Sequence, residues 1–119
     1  MSECLFCKIA TKEIQAKDGF LFENENVVAF NDINPKSPVH ILIVLKSHME
    51  SIKTIKDEDA QLIGEMFLVA KKLAQEKNLE GYKLVFNVGR EGGQVIDHLH
   101  LHLLGGWESE SGAPSLRKI

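Results

Sequence analysis

Asp97-His98-Leu99-His100-Leu101-His102-Leu103-Leu104 is the stretch on which the reading of this chain turns. On an extended strand, successive side chains point to opposite faces. His98, His100 and His102 then share one face, and Leu99, Leu101 and Leu103 the other. The leucines belong in a core, and the imidazoles stand roughly 6–7 Å apart along the opposite face. Three of the chain's five histidines fall here. An imidazole near pH 7 can act as nucleophile, base or metal ligand. The pattern therefore predicts either a catalytic face or a zinc or iron platform. A strand that is polar by accident explains it poorly, since strict alternation of three histidines is hard to reach by chance.

Outward from this strand, Asn87-Val88-Gly89-Arg90-Glu91-Gly92-Gly93-Gln94 reads as a glycine-rich turn. Glycines let backbone N–H groups approach an anion, and Asn87 and Gln94 add uncharged donors, so a phosphate cradle is expected to lead into the histidines. A tight hairpin turn would use the same glycines. Upstream, Tyr82 to Asn87 reads as a strand and Asp57 to Lys77 as the long helix. Ile63, Met66, Phe67, Ala70, Leu73 and Ala74 recur on that helix with period 3.6. Asp57, Glu58 and Asp59 suit its first turn, and Asn78 and Gly81 stop it. Val39 to Lys46 is a strand rich in β-branched residues. Asn31 to Pro38 holds two prolines and is a loop. Phe20 to Phe22 and Val27 to Phe30 flank the turn residues Glu23 to Asn26 and predict a hairpin. Cys4 to Glu13 reads as a short helix. The expected class is α+β: an antiparallel sheet of about five strands, with one long helix on one face and a short N-terminal helix.

The 119 residues suit one domain over 1–119, with a tail over 107–119 that lacks periodicity. Formal net charge is −3, so no basic surplus points to DNA, RNA or an anionic membrane. No basic segment leads into an apolar one at the N-terminus, and the longest apolar run, Ile41 to Leu45, is too short to span a bilayer. The cytoplasm is the expected location. Both cysteines form one Cys4-x-x-Cys7 pair, for which metal or redox roles come before a structural disulfide in a reducing compartment.

Gly92-Gly93-Gln94 followed by His98-Leu99-His100-Leu101-His102-Leu103-Leu104 resembles the signature of the histidine triad superfamily, His-φ-His-φ-His-φ-φ with φ apolar. Gly105-Gly106 and the upstream Asp32-Ile33-Asn34-Pro35 and Pro38-Val39-His40 are similar to its Hint branch. The likeness runs from about Cys4 to Trp107, with the signature at about 87–106. It implies a nucleotide hydrolase in which His100 attacks the α-phosphorus, His102 contacts the phosphate and its bridge, and His40 lies near the phosphates. By the same resemblance Phe6, Ile9, Ile14, Phe30 and Ile33 line a purine slot, and Asp32 accepts from ribose. Asn87, Gly93, Gln94 and Val95 surround the phosphate. Plain core packing would also use Phe6, Ile9 and Phe30, and a turn cap would also use Asp32. The implied reaction is cleavage of purine nucleoside phosphoramidates or adenylylated amines through a nucleotidyl-histidine. Hydrolysis of dinucleoside polyphosphates and a non-catalytic nucleotide-binding module are the alternatives. Val95 stands where the family often has Ser or Thr, Asp97 where it often has an aromatic residue, and Gln15 where proline is frequent.

Two thiolates on one side of a short helix make half of a zinc site. The resemblance implies a structural Zn2+ held by Cys4, Cys7, His48 and His98, which leaves His100 for covalent chemistry and His102 for phosphate. A packed free thiol pair or a redox pair remain open for Cys4 and Cys7. The resemblance also implies a homodimer built on the long helix and a sheet edge, with Trp107 and the tail to Ile119 reaching the partner's site.

Overall fold

Val39–Leu45 is apolar at six of its seven positions, without the alternation of a half-exposed strand. Such a run belongs to a strand covered on both faces. In the computed structural model, which describes residues 4–108, this strand (β3) is the middle of five. The others are β1 (Phe22–Glu23), β2 (Val27–Asn31), β4 (Tyr82–Val85) and β5 (His100–Gly105), and the order β1-β2-β3-β5-β4 is antiparallel throughout.

The long helix α2 (Ala60–Glu76) covers one face. Met66, Val69, Ala70, Leu73 and Ala74 pack there on Val27, Ala29, Ile41, Ile43 and Leu45, and on Leu99, Leu101 and Leu103. The predicted stripe needs one exchange: Val69 is buried and Phe67 is 41% exposed, resting edge-on against Phe86. The helix also begins later than expected. Asp57–Asp59 form a 3-10 turn whose Asp59 Oδ2 accepts the Lys56 N–H at 2.8 Å.

The other face is covered too, by the short helix α1 (Leu5–Ala10). Phe6, Ile9 and Ala10 pack with Ala16 on Val28, Phe30, Leu42 and Val44. The predicted helix over Cys4 to Glu13 thus shrinks to six residues. Cys4 is its N-cap, with Sγ accepting the Cys7 N–H at 3.4 Å, and Lys12 leaves the helix at φ 68°.

Strand boundaries also move: β1 is Phe22–Glu23 where Phe20 to Phe22 was expected, so Glu23 belongs to the strand and not the turn, and β2 and β3 shift by one residue at their ends. β4 ends at Val85 rather than Asn87, and β5 begins at His100 rather than Asp97. Ahead of His100 the chain leaves the ladder: the Leu99 N–H bonds the Met49 carbonyl at 2.6 Å. At the far end, Gly105 and Gly106 are fixed by close approach. A Cβ on Gly105 would lie 2.9 Å from Leu79 Cδ1, and Gly106 sits at φ +89° with Pro38 Cβ 3.0 Å from where its own would be. No helix among the described residues is long and apolar enough to cross a membrane.

Candidate active site and metal centre

His100 and His102 leave β5 on the α1 face, with ring centroids 5.0 Å apart. Register places Val44 opposite His100 and Leu42 opposite His102, while His40 projects from β3 opposite Leu104. His40 Nε2 reaches His102 Nδ1 diagonally at 2.9 Å.

The hydrogen bonds fix where each proton sits. His100 Nδ1 lies 2.6 Å from the His98 carbonyl, which can only accept, so Nδ1 carries the hydrogen and Nε2 keeps its lone pair. His40 Nδ1 accepts the Lys36 N–H at 3.0 Å, so its hydrogen is on Nε2 and is donated to His102 Nδ1. The hydrogen of His102 is then on Nε2, a buried atom with no partner among the described residues. A buried unpaired donor is costly, and it marks the place of an acceptor that arrives with a ligand. Asp32 Oδ2 lies 3.5 Å from His40 Nε2, while its Oδ1 caps its own loop by accepting the Asn34 N–H at 2.8 Å. Asp32, His40 and His102 cluster as metal ligands can. With Nε2 of His40 protonated and its hydrogen given to His102, however, the two rings form a hydrogen-bonded pair beside the Asp32 carboxylate.

Burial keeps these rings neutral. It pushes His102 down to about 4, helped by the neighbouring His100 and His40, and lowers His40 and His100 in the same sense. A lone pair on His100 is therefore available at neutral pH.

Both rings open into a cavity of about 610 Å³. Phe6, Ile9, Ile14, Phe30, Asp32, Ile33, His40, Asn87, Gly93 and Val95 line it with His100 and His102. Phe6 stands edge-on to His100 at 5.0 Å and to Phe30 at 5.8 Å, so the apolar wall abuts the histidine that holds the lone pair. Leu42, Leu104, Ile96, Lys17 and Lys36 also line the cavity and were missed by sequence reading. Strand parity could have found Leu42 and Leu104, each two residues beyond a cavity histidine. The lysines sit in loops and carry no such signal.

The glycine turn differs from the expected anion nest. The N–H groups of Gly92, Gly93 and Gln94 bond the carbonyls of Gly89, Arg90 and Gly89 at 3.1, 3.0 and 2.9 Å. They close the turn on itself instead of facing the cavity. Gln94 does not line the cavity; its amide donates to the carbonyls of Glu50 at 2.6 Å and Ile96 at 3.0 Å, and its Oε1 accepts the Gly89 N–H at 3.1 Å. Asp97 points away from the histidines, as parity predicts, and takes two 2.9 Å bonds from Arg90.

His98 precedes β5 but stays on the α1 side, as alternation predicts. Its ring is buried beside α1, where Nε2–H donates to the Leu45 carbonyl at 2.8 Å and the Nδ1 lone pair faces Cys4 Sγ at 3.2 Å. Cys7 Sγ is 3.5 Å from that nitrogen and 3.3 Å from His48 Nδ1, and the two nitrogens are 3.3 Å apart. Zn–N bonds near 2.0–2.1 Å and Zn–S bonds near 2.3 Å give tetrahedral edges of roughly 3.3–3.8 Å, so the four donors fit a closed Cys2His2 centre. Bound there, zinc would tie α1, the segment after β3 and the approach to β5 together, with no position left for water. Without a cation, burial and the hydrogen bond and charge of Cys4 push the Cys7 thiol up to about 11, and burial takes His98 down to about 4. The neutral imidazole is the ligand form.

Comparison with known proteins agrees with this geometry. Residues 3–114 match the family model described as "Scavenger mRNA decapping enzyme C-term binding". Protein HitA of Neisseria gonorrhoeae is 41% identical over 88% of this chain and 97% of its own. The purine nucleoside phosphoramidase of Escherichia coli K12 is 38% identical over 87% of each. The crystal structure of a HIT family hydrolase from Legionella pneumophila Philadelphia 1 superimposes with a TM-score of 0.85 at 46% identity, covering 93% of this chain and all of that one. The chain belongs to the histidine triad family. It is a hydrolase.

Proposed function

We propose that the chain hydrolyses purine nucleoside phosphoramidates and related adenylylated amines, releasing AMP through a nucleotidyl-His100 intermediate. One observation carries the reading. His100, which keeps its Nε2 lone pair, and His102, whose buried Nε2–H has no partner among the described residues, line one cavity with an apolar wall. His100 attacks the α-phosphorus and the P–N bond breaks, with the amine's proton coming partly from the substrate itself. His102 donates its Nε2–H to a phosphoryl oxygen or the bridging atom, where negative charge grows. Water then attacks the phosphorus, restores His100 and releases AMP, so that one hard displacement becomes two easier ones. Phe6, Ile9, Ile14, Phe30 and Ile33 hold the base, Asp32 accepts from the ribose, and Asn87 faces the phosphate. The phosphoramidase named among the relatives supports the P–N assignment.

The test mixes the protein with adenosine 5′-phosphoramidate and locates the adduct by mass spectrometry of quenched digests. An adenylyl group on His100, absent from His100→Ala, is expected. Turnover that survives His100→Ala, or an adduct elsewhere, overturns the mechanism.

Two further proposals belong to the same reading. The Cys2His2 cluster holds structural zinc, in a cytoplasmic setting that keeps both cysteines out of a disulfide. The chain pairs as a homodimer through the sheet-edge strand β4 and the exposed Phe67 and Leu68 of α2. Light scattering should give twice the chain mass, falling to one chain mass in Leu68→Glu. Of the tail expected to reach the partner, Trp107 is described, with the Lys83 Nζ 5.9 Å from its ring centroid, and the residues after 108 lie outside the described part.

A further inference from the structure

Helix α1 serves two sites at once. Cys4 caps its start and Cys7 follows one turn later, and between them Phe6 lines the cavity and meets His98 at 6.0 Å and His100 at 5.0 Å. Six residues are too few to hold a helix without tertiary contacts. Its apolar anchor is limited to Phe6, Ile9 and Ala10. Its other tie to the sheet is polar, through Cys4 Sγ to His98 at 3.2 Å and Cys7 Sγ to His48 at 3.3 Å. The two sulfurs lie within 4.8 Å of each other, both half-buried and unbridged, at the Cys-x-x-Cys spacing that dithiol–disulfide couples use.

We infer that Cys4 and Cys7 are a redox modification site whose oxidation by a peroxide opens the nucleotide slot. One thiol gives up its proton and attacks a peroxide oxygen, the O–O bond breaks, and that proton joins the departing hydroxide, leaving a sulfenic acid and one water. The second thiol attacks that sulfur, and its proton leaves with the displaced hydroxide as a second water. Two thiols and hydrogen peroxide become one disulfide and two waters: the sulfurs lose two electrons and the peroxide gains them. The disulfide withdraws both sulfurs from His48 and His98, and any metal held by all four donors is released. Helix α1 then keeps its apolar contacts alone, and the wall formed by Phe6 and Ile9 is ordered in only a fraction of molecules. Apparent nucleotide affinity falls by that fraction. The nucleotide part of this inference rests on the proposed function; the chemical and structural parts do not.

The test treats the full, zinc-loaded chain with hydrogen peroxide, then removes the peroxide with catalase. Four quantities are read: zinc released to a chromogenic chelator, intact mass, amide exchange over residues 5–11, and AMP affinity by calorimetry. The expected result is about one zinc released per chain and a mass loss of about 2 Da for the two thiol hydrogens. Faster exchange in α1 and AMP binding weakened about tenfold or more should accompany them. Dithiothreitol plus zinc should restore all four, and Cys4→Ser should show no peroxide-dependent change in α1 exchange. A disulfide that leaves α1 exchange unchanged overturns the inference, as does oxidation of each sulfur singly to sulfinate. If the reduced, loaded protein fails to bind AMP, the proposed function falls, while the exchange data still judge the switch.

Discussion

The two faces of the sheet are built on the same strands and held in different ways. On the α2 face, the side chains of Leu99, Leu101 and Leu103 meet Met66, Val69 and Leu73 with essentially no exposure. A seventeen-residue helix supplies the area. On the α1 face, a six-residue helix covers alternate residues of the same strands, and His40, His98 and His100 are buried among them. The first face is fixed by burial of apolar surface. The second combines modest burial with directed bonds, each histidine held by a partner that sets its proton. The comparison shows how neighbouring residues can divide the work: Leu101 belongs to the fold, and His100 to the chemistry.

Substitution at these two neighbours should break the comparison most sharply. His100→Ala should lower turnover by about 10³-fold or more, the scale seen when a covalent nucleophile is removed. Far-UV dichroism and the unfolding midpoint should change little by comparison. Leu101→Ala should do the reverse, destabilising the chain by about 2–5 kcal/mol in urea titration through the cavity it leaves. The fraction that stays folded should still form the adduct. Equal loss of stability in both variants would erase the distinction between the faces.

Much of that division could be read from the sequence, because period 2 is a rigid rule once a strand is in place. It assigned Leu101 and Leu103 to one face and His100 and His102 to the other, and the register with β3 agrees. The sides hold one pair earlier too, although His98 and Leu99 precede the ladder: Leu99 packs with Leu101 under α2, and the His98 ring lies against Phe6 of α1 as His100 does. What alternation does not give is the partner of each ring, because Leu45 and Cys4, which hold His98, are distant in sequence. Gln94 was misjudged for want of such a distant partner. Its side chain fitted a phosphate donor on local grounds, but its partner is the carbonyl of Glu50, which no local pattern reveals. On α2, Phe67 and Val69 both suit an apolar stripe, and only the packing decided between them.

Acid should sharpen the contrast further. Burial lowers His102 to about 4 and His40 in the same direction, so the folded chain keeps these rings neutral where an unfolded one takes up protons. The unfolded state then binds more protons below an ordinary imidazole pKa of about 6.5. Stability from these groups is therefore level above that value, falls as pH drops toward 4, and flattens below it. Thermal unfolding across this window should show the decline, and His102→Asn should make it shallower. Leu101→Ala should shift the whole curve down and leave its slope unchanged. A His102→Asn slope equal to that of the parent would mean that ring titrates alike in both states.

The smallest effect should come from the clasp at the rim. Arg90 and Asp97 make two 2.9 Å bonds, but their side chains are 63% and 61% exposed. Solvent screens such a pair, and Asp97→Asn should cost under about 1 kcal/mol. The turn itself should survive, because the Gln94 amide, the N–H bonds of Gly92 and Gly93, and the Arg90 bond to the Gln94 carbonyl at 2.6 Å do not need the carboxylate. KM and kcat for the phosphoramidate should therefore stay within about twofold, a difference of roughly 0.4 kcal/mol. Gln94→Ala removes the buried bond to Glu50 and should raise KM more than Asp97→Asn does. If the order were reversed, the turn would be held from its surface rather than from beneath.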